Sequence, residues 1–250
     1  MSERFDIAGK HAVVTGGARG IGRAIADALS AKGAVISIVS RSALAAENVT
    51  DFYRAEADVT DEAQIATAFE ACRVANGPIA ILVNNSGIAE SAPLSRTGRA
   101  MWDRILATNL TGSFLCTQAA IQDMLIAKWG RVLNISSIAG LGGSAYLTAY
   151  CASKHGVIGL TRALAEEFKD TGVTANALCP GYTETDMMRQ AMANIVRHTG
   201  ADEAQARAHL ASSNPGGRIA TVEEVAEAAV DVITSDATGG SIIIPGGEVV

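Results

Sequence analysis

Short apolar blocks alternate with helix-period stretches along the whole chain. His11 to Thr15 reads as a strand and stops at a glycine run, Gly16 to Gly22. A helical pattern follows through Lys32, and Gly33 sits where a C-terminal cap belongs. Val35 to Val39 reads as a second strand ending at Ser40-Arg41. Strand, glycine turn, helix and strand make a βαβ unit. Residues 43–49 leave room for only a short helix, and a third strand fits about 53–57, followed by Asp58-Val59.

Thr60-Asp61-Glu62 opens the next helix with acidic groups in its first turn, and Gly77-Pro78 ends it. Ile79 to Val83 is a continuous apolar run of the kind found in buried parallel strands, and it opens into Asn84-Asn85-Ser86-Gly87. A long helix over about 99–127 precedes a fifth strand, Arg131 to Ser136. The glycine-rich stretch Gly140 to Ser144 leads to a helix carrying Tyr150 and Lys154. A sixth strand runs from Val173 to Leu178 and stops at Pro180-Gly181. Residues 183–215 break the alternation and read as an inserted helical flap. Thr221-Val222-Glu223-Glu224 starts a helix, and Ser241 to Ile244 is a last strand. With no linker-like interruption, the pattern predicts one doubly wound α/β domain over residues 1–250, built on a parallel sheet.

Composition narrows the function classes. The 250 residues are 48% hydrophobic and 18% charged, which is the balance of a chain with a core rather than a disordered one. The net charge of -6 comes without the clustered positive charge that a nucleic-acid or anionic-membrane surface needs. Cys72, Cys116, Cys151 and Cys179 form no Cys-x-x-Cys pair and do not cluster with the histidines, so no metal site is expected. They read as small hydrophobes in a reducing compartment. Met1 to Gly9 has no apolar core of a secretion signal, and no apolar run approaches the ~18 residues of a membrane span. The expected compartment is the cytoplasm.

The candidate chemistry begins with Tyr150 and Lys154, one helical turn apart and so on one face. A phenol titrates near ~10, and a fixed cation beside it favours the phenolate. A phenol tuned in this way suits proton transfer to or from a carbinol oxygen. Gly16, Gly20 and Gly22 supply the second element: Arg19, Gly20, Ile21 and Gly22 lie between the first strand and its helix, where a dinucleotide's pyrophosphate would meet backbone donors. The end of the second strand discriminates the nicotinamide cofactors, since an acid there accepts from the ribose 2′-hydroxyl. This chain has Ser40 and Arg41 instead, and Arg19 reaches toward the same region. The reading is NADP(H), with NAD(H) as the other possibility.

Taken together, these motifs resemble the short-chain dehydrogenase/reductase family over nearly the whole chain. Thr15 to Gly22 is similar to its Thr-Gly-x-x-x-Gly-x-Gly turn, and Asn84-Asn85-Ser86-Gly87 to its Asn-Asn-Ala-Gly, with Ser86 in place of alanine. The resemblance implies a Rossmann-type sheet of about seven strands in the order 3-2-1-4-5-6-7, helices on both faces, and a substrate flap at about 183–215. It implies that Asp58 caps the adenine amino group with Val59 beside it, and that Asn85 and Gly87 border the cofactor. Ser137 would aim the substrate oxygen, Tyr150 would transfer the proton, and Lys154 would lower the Tyr150 pKa and hold the nicotinamide ribose. Asn109 would hold a relay water, its other reading being a structural group that kinks the helix. Pro180, Gly181, Thr183 and Thr185 would grip the carboxamide. Ser136 is the rival serine; family spacing selects Ser137, and strand alternation sends the two side chains apart.

The resemblance points to an oxidoreductase interconverting a ketone and a secondary alcohol, nearest to 3-oxoacyl reductases and polyketide ketoreductases. An acyl thioester or polyketide-like ketone is the expected substrate. An NAD-linked dehydrogenase of a polyol, sugar or cyclic alcohol stands beside it, and a non-catalytic cofactor-binding regulator is a third class. Met187, Met188, Met192 and Ile195 are candidates for an apolar substrate pocket or for plain flap packing. Arg189, Arg197 and Arg207 read as a solvated face or as contacts for an acyl-CoA phosphate. Lys128 matches one basic position of carrier-protein reductases, whereas Asp170-Thr171 lacks the charge at the other. The family further implies a homotetramer packed through the helices at about 99–127 and 150–170.

Overall fold

The apolar blocks lie side by side as parallel strands in the computed structural model, which describes residues 5–45 and 50–246. The elements run β1 (His11–Thr15), α1 (Gly20–Ala31), β2 (Val35–Ser40), β3 (Tyr53–Glu56), α2 (Glu62–Asn76), β4 (Ile79–Asn84), α3 (Arg99–Leu106), α4 (Gly112–Ala127), β5 (Gly130–Ile135), α5 (Thr148–Glu167), β6 (Val173–Pro180), α6 (Asp186–Thr199), α7 (Glu203–Ser212), α8 (Val222–Ile233) and β7 (Ser241–Ile244). Sheet order is β3-β2-β1-β4-β5-β6-β7, every pairing parallel. Strand order reverses between β1 and β4, so the loops leaving their C-terminal ends diverge around a crevice, the place where ligands bind in such sheets.

Alternation along each strand divides the core between two faces. Val14, Ile38 and Ile81 turn toward α1 and α8, where Ile25, Leu29 and Val225 meet them. Val13, Leu82 and Val132 turn the other way, against Ile65, Phe69 and Met124. Both faces are buried, so the polar residues of the central strands, such as Asn84 and Asn134, are hydrogen-bonded to one another inside the fold. Full burial of a side chain such as Phe69 contributes about 1.5–3 kcal/mol. Caps mark several helix starts: Asp61 accepts from the Gln64 N–H, and Thr221 and Glu224 form a reciprocal capping box at α8.

Two features depart from the sequence pattern. The predicted helix over 99–127 is interrupted by a π-helical turn, Ala107–Thr111, with Asn109 buried inside it. Such turns occur where one residue is inserted into a helical ladder, often at functional sites. The flap is two capped helices, α6 and α7, closing on a small core of Met188, Leu210 and Ile219. At 43–45 the chain makes a turn, and the rest of the short helix expected over 43–49 lies outside the described residues. Among the described residues no helix is long and apolar enough to cross a membrane.

Candidate active site

The β1–α1 turn places backbone donors at the crevice. Gly16 and Gly20 adopt φ of +65° and +55°, a region that favours glycine. Arg19 occupies the N-cap of α1 without a side-chain cap bond, and the first turn holds no acid, so its N–H groups face outward uncapped. The turn is locked to the β4 loop. The Asn85 amide donates to the carbonyls of Thr15 and Gly16 at 3.0 and 3.2 Å. The Thr15 hydroxyl accepts from the N–H groups of Asn85 and Ser86 at 3.0 and 3.1 Å and donates to the Val83 carbonyl. A Cβ at Gly22 would lie 2.4 Å from Asn85 Nδ2, so close packing excludes any side chain there. Ile21 is half-buried beside it.

At the β2 end, the Ser40 hydroxyl is buried and has no hydrogen-bond partner among the described residues. An orphaned hydroxyl there, together with uncapped helix donors, fits a phosphorylated nucleotide. The two arginines assigned to that end are not brought together. Arg41 lies 3.9 Å from Asp58, whereas Arg19 reaches across to Asp186 at the start of α6, 2.9 Å away. Asp58 also accepts from the Thr60 N–H and hydroxyl, which shapes the turn after β3, and Val59 is buried against Gly112.

The chemistry-bearing residues meet at the C-terminal end of β5. The two serines separate as strand alternation requires. Ser136 is buried and donates to the Lys154 carbonyl at 3.0 Å, while Ser137 is half-buried, accepts from the Ala139 N–H and faces the Tyr150 phenol closely enough to favour its phenolate. Lys154 is buried, and its ammonium donates to the Ile135 carbonyl at 2.7 Å and lies 5.7 Å from the centre of the Tyr150 ring. Gly87 opens the space in front of it: a Cβ there would be 3.3 Å from Asn109 Oδ1 and 3.6 Å from Lys154 Nζ.

Asn109 is tied to the β4 loop and to α5. Its amide accepts from the Ile88 N–H at 2.8 Å and donates to the Ile88 carbonyl at 2.9 Å and the Ser153 hydroxyl at 3.0 Å. Both amide hydrogens are therefore used in bracing the π-turn. Ser153, which the motif reading passed over, passes the brace on by donating to the Tyr150 carbonyl at 2.7 Å.

The surroundings of Tyr150 act against the expected lowering of its pKa. Burial pushes the phenol up to about 12; the nearby Ser137 hydroxyl opposes this, and Tyr182 and Cys151 add to it. The ring itself is half-buried by accessible surface, so the crowding comes from protein atoms packed around the phenol rather than from complete enclosure. Burial pushes Lys154 the opposite way, down to about 8. In each case desolvation disfavours the charged form and is the largest cause of the shift.

Beyond β6, Pro180 and Gly181 lead into the flap. Thr183 is buried and donates to the Gly181 carbonyl at 3.1 Å; Thr185 donates to the Thr183 carbonyl and caps α6 through the Met188 N–H. The methionine pocket is only partly realised. Met188 is buried in the flap's own core with Met192 and Ile195 packed on it, and Met187 is 40% exposed. Arg189 and Arg207 pair with Asp186 and Glu184, and Arg197 bonds Asn194, as a solvated face would. Cys72, Cys116 and Cys179 are buried, and Cys151 is half-buried next to Tyr150. A cleft of about 650 Å³ opens between α1, α8 and the flap base, bordered by Gly20, Thr185 and Asp186, away from Ser137, Tyr150 and Lys154.

Comparison with known proteins bears on this geometry. The model of the short chain dehydrogenase family matches residues 10–195. The chain is 36% identical over 247 residues to 3-oxoacyl-(acyl-carrier-protein) reductase of Salmonella typhimurium, covering 96% of this chain and 97% of that protein. Among solved structures, a variant of actinorhodin polyketide ketoreductase with NADPH superposes with a TM-score of 0.89 at 30% identity, over 95% of this chain and 96% of that one. Ligand-free aldohexose dehydrogenase of Thermoplasma acidophilum superposes with a TM-score of 0.89 at 29% identity, over 98% and 95%.

Proposed function

The chain belongs to the short chain dehydrogenase family, and within it we propose an NADP(H)-dependent oxidoreductase that interconverts a ketone and a secondary alcohol. Residues 1–250 act as one domain, with a substrate flap at about 183–215. The convergence of Ser137, Tyr150 and Lys154 in front of Gly87, at the C-terminal edge of the sheet, carries this reading.

A bound nicotinamide cofactor supplies or removes the hydride. Gly16, Gly20, Ile21 and Gly22 hold the pyrophosphate on the uncapped donors of α1. Ser40, Arg41 and Arg19 meet the 2′-phosphate, Asp58 and Val59 the adenine, and Asn85 and Gly87 line the path between. Pro180, Gly181, Thr183 and Thr185 hold the carboxamide, and Lys154 the ribose hydroxyls. Ser137 orients the substrate oxygen. With a pKa pushed up to about 12, Tyr150 keeps its proton throughout the neutral range and stands ready to deliver it to that oxygen. Asn109 and Ser153 hold α5 so that Tyr150 and Lys154 stay aligned. Replacing Tyr150 with Phe is expected to lower kcat by about 10²–10⁴-fold, with circular dichroism unchanged. Reductase activity equal to that of the native enzyme overturns the proposal.

The substrate is a 3-oxoacyl thioester or a polyketide-like ketone, the class named in the Salmonella relative and in the superposed ketoreductase. Asp170 in place of a basic residue favours a CoA thioester or free ketone over a carrier protein. A second reading is an NAD-linked dehydrogenase of a sugar, polyol or cyclic alcohol. It is supported by the carboxylate partners of Arg19 and Arg41 and by the equally good superposition of aldohexose dehydrogenase. Turnover of 3-oxoacyl thioesters, cyclic ketones and polyols with NADPH and NADH separates the two. Clear preference for NADH removes the NADP(H) assignment. The exposed Phe114 and Ile126 on α4 support self-association to a homotetramer, and the four unpaired cysteines support a cytoplasmic location.

A further inference from the structure

A buried amide outside all of these motifs holds the base of the flap. Asn214 lies in the loop between α7 and α8 and is 4% exposed. Its Oδ1 accepts from the Tyr182 N–H at 2.6 Å, and its Nδ2 donates to the carbonyls of Tyr182 and Arg218 at 2.9 and 2.7 Å. One side chain thus closes on both main-chain groups of Tyr182, as the backbone of a neighbouring strand would. It also presses on the residue before: a Cβ at Gly181 would lie 2.4 Å from Asn214 Oδ1. The adjoining main chain continues the contact, with Ala220 N–H donating to the Tyr182 carbonyl and Glu184 N–H to the Ala220 carbonyl. From there the bonds run through Thr183 and Thr185 to the first turn of α6.

The choice of an amide is informative. An apolar side chain of the same volume fills the space without desolvating polar atoms, but leaves the Tyr182 N–H without this partner. Asn214 uses both amide hydrogens and an oxygen lone pair, all on main chain, and so fixes where that main chain lies.

We propose that Asn214 is a positioning residue for the reaction: it sets the Gly181–Thr183 backbone and thereby aligns the cofactor's carboxamide with Tyr150. This rests on the reading that the Pro180–Thr185 turn holds the carboxamide. Asn214→Leu is expected to lower kcat about thirtyfold, since an orphaned buried donor costs that much in displacement of the turn. The Kd for NADPH, measured by its fluorescence, stays within about threefold because the adenosine half is untouched. Asn214→Asp keeps the acceptor for Tyr182 N–H but aims a second oxygen at two carbonyls, and a proton on that carboxyl restores the lost donor. Its kcat relative to the native enzyme should therefore climb as the pH falls from about 8 to about 5. A ratio flat in pH, or a folded Leu variant with kcat within about twofold of native, overturns the proposal; if the Leu variant does not fold, the Asp ratio decides alone. Thr185→Val separates the two layers of the argument. If it lowers kcat while both Asn214 variants do not, only the Asn214 role falls. If all three leave kcat unchanged, the carboxamide reading falls with it.

Discussion

Lys154 shows what placing a cation at this site costs. Its folded value of about 8 lies below the ordinary 10.5. The folded protein therefore binds that proton more weakly than the unfolded chain. The stability associated with the neutral amine is present above the unfolded pKa and is lost as pH falls toward 8. At pH 7 the charged, buried lysine destabilises the fold by on the order of 3 kcal/mol. Lys154→Met removes that cost and loses a hydrogen bond to Ile135 worth about 1 kcal/mol. The variant is expected to be inactive yet to melt higher than the native protein at pH 7, with the gain shrinking toward pH 10. Thermal unfolding at both pH values measures this, and a lower melting temperature at pH 7 contradicts it. The proposed reacting pair, Tyr150 and Lys154, was legible because its side-chain types and interval carry the chemistry. The direction of the Tyr150 shift was not, because desolvation depends on what packs around the ring.

At the scale of elements, the β1–α1 turn and the β4 loop work as a pair. A methyl group on Gly22 meets Asn85 Nδ2 at 2.4 Å and the Gly16 carbonyl oxygen at 2.6 Å, and the second of these is main chain that cannot swing aside. Gly22→Ala is expected to open the turn and weaken NADPH binding by about tenfold or more. Gly142→Ala, where nothing lies within 4 Å, serves as the control. Equal Kd values for the two variants contradict the close-packing argument. The opposite end of β1 carries a different device. His11 Nδ1–H donates to the Gly77 carbonyl at 2.7 Å, which leaves Nε2 to accept from the Ser37 hydroxyl at 2.8 Å; that hydroxyl in turn accepts from Asn76. Burial holds the imidazole below its usual 6.5. Its contribution to stability is present above 6.5 and is lost as the pH falls below it. Chemical denaturation of the native protein should therefore show stability falling from about pH 7 to about pH 5, and His11→Gln should flatten that slope. An unchanged slope in the variant rules His11 out as its origin. The π-turn, by contrast, escaped the sequence pattern, since Asn109 finds Ile88 and Ser153 only after α3, α4 and α5 have packed.

For the whole molecule, a parallel sheet covered on both sides leaves the outer helix faces and the last strand as the surfaces for assembly. Phe114 and Ile126 on α4, and Ile243 on β7, are large apolar side chains exposed by 46%, 81% and 45%. Sedimentation at micromolar concentration is expected to report four times the 25.7 kDa chain mass. A monomer contradicts the proposed tetramer.

The strands, most of the helices and the parallel α/β class follow from the chain alone, because hydrophobic period is a local property; the strand order came with the family resemblance. The glycine turn and the Tyr150–Lys154 interval also follow from the chain, since their meaning lies in spacing and residue type, while Ser137 was picked out by the family resemblance. Tertiary structure alone decided three other things. Arg19 turns to Asp186, a partner 167 residues away, and Arg41 to Asp58. Asn109 braces a π-turn, and Asn214 clasps Tyr182 from 32 residues downstream. Burial reverses the expected shift of Tyr150. Each depends on which groups share a volume after folding, and one-dimensional spacing does not carry that information.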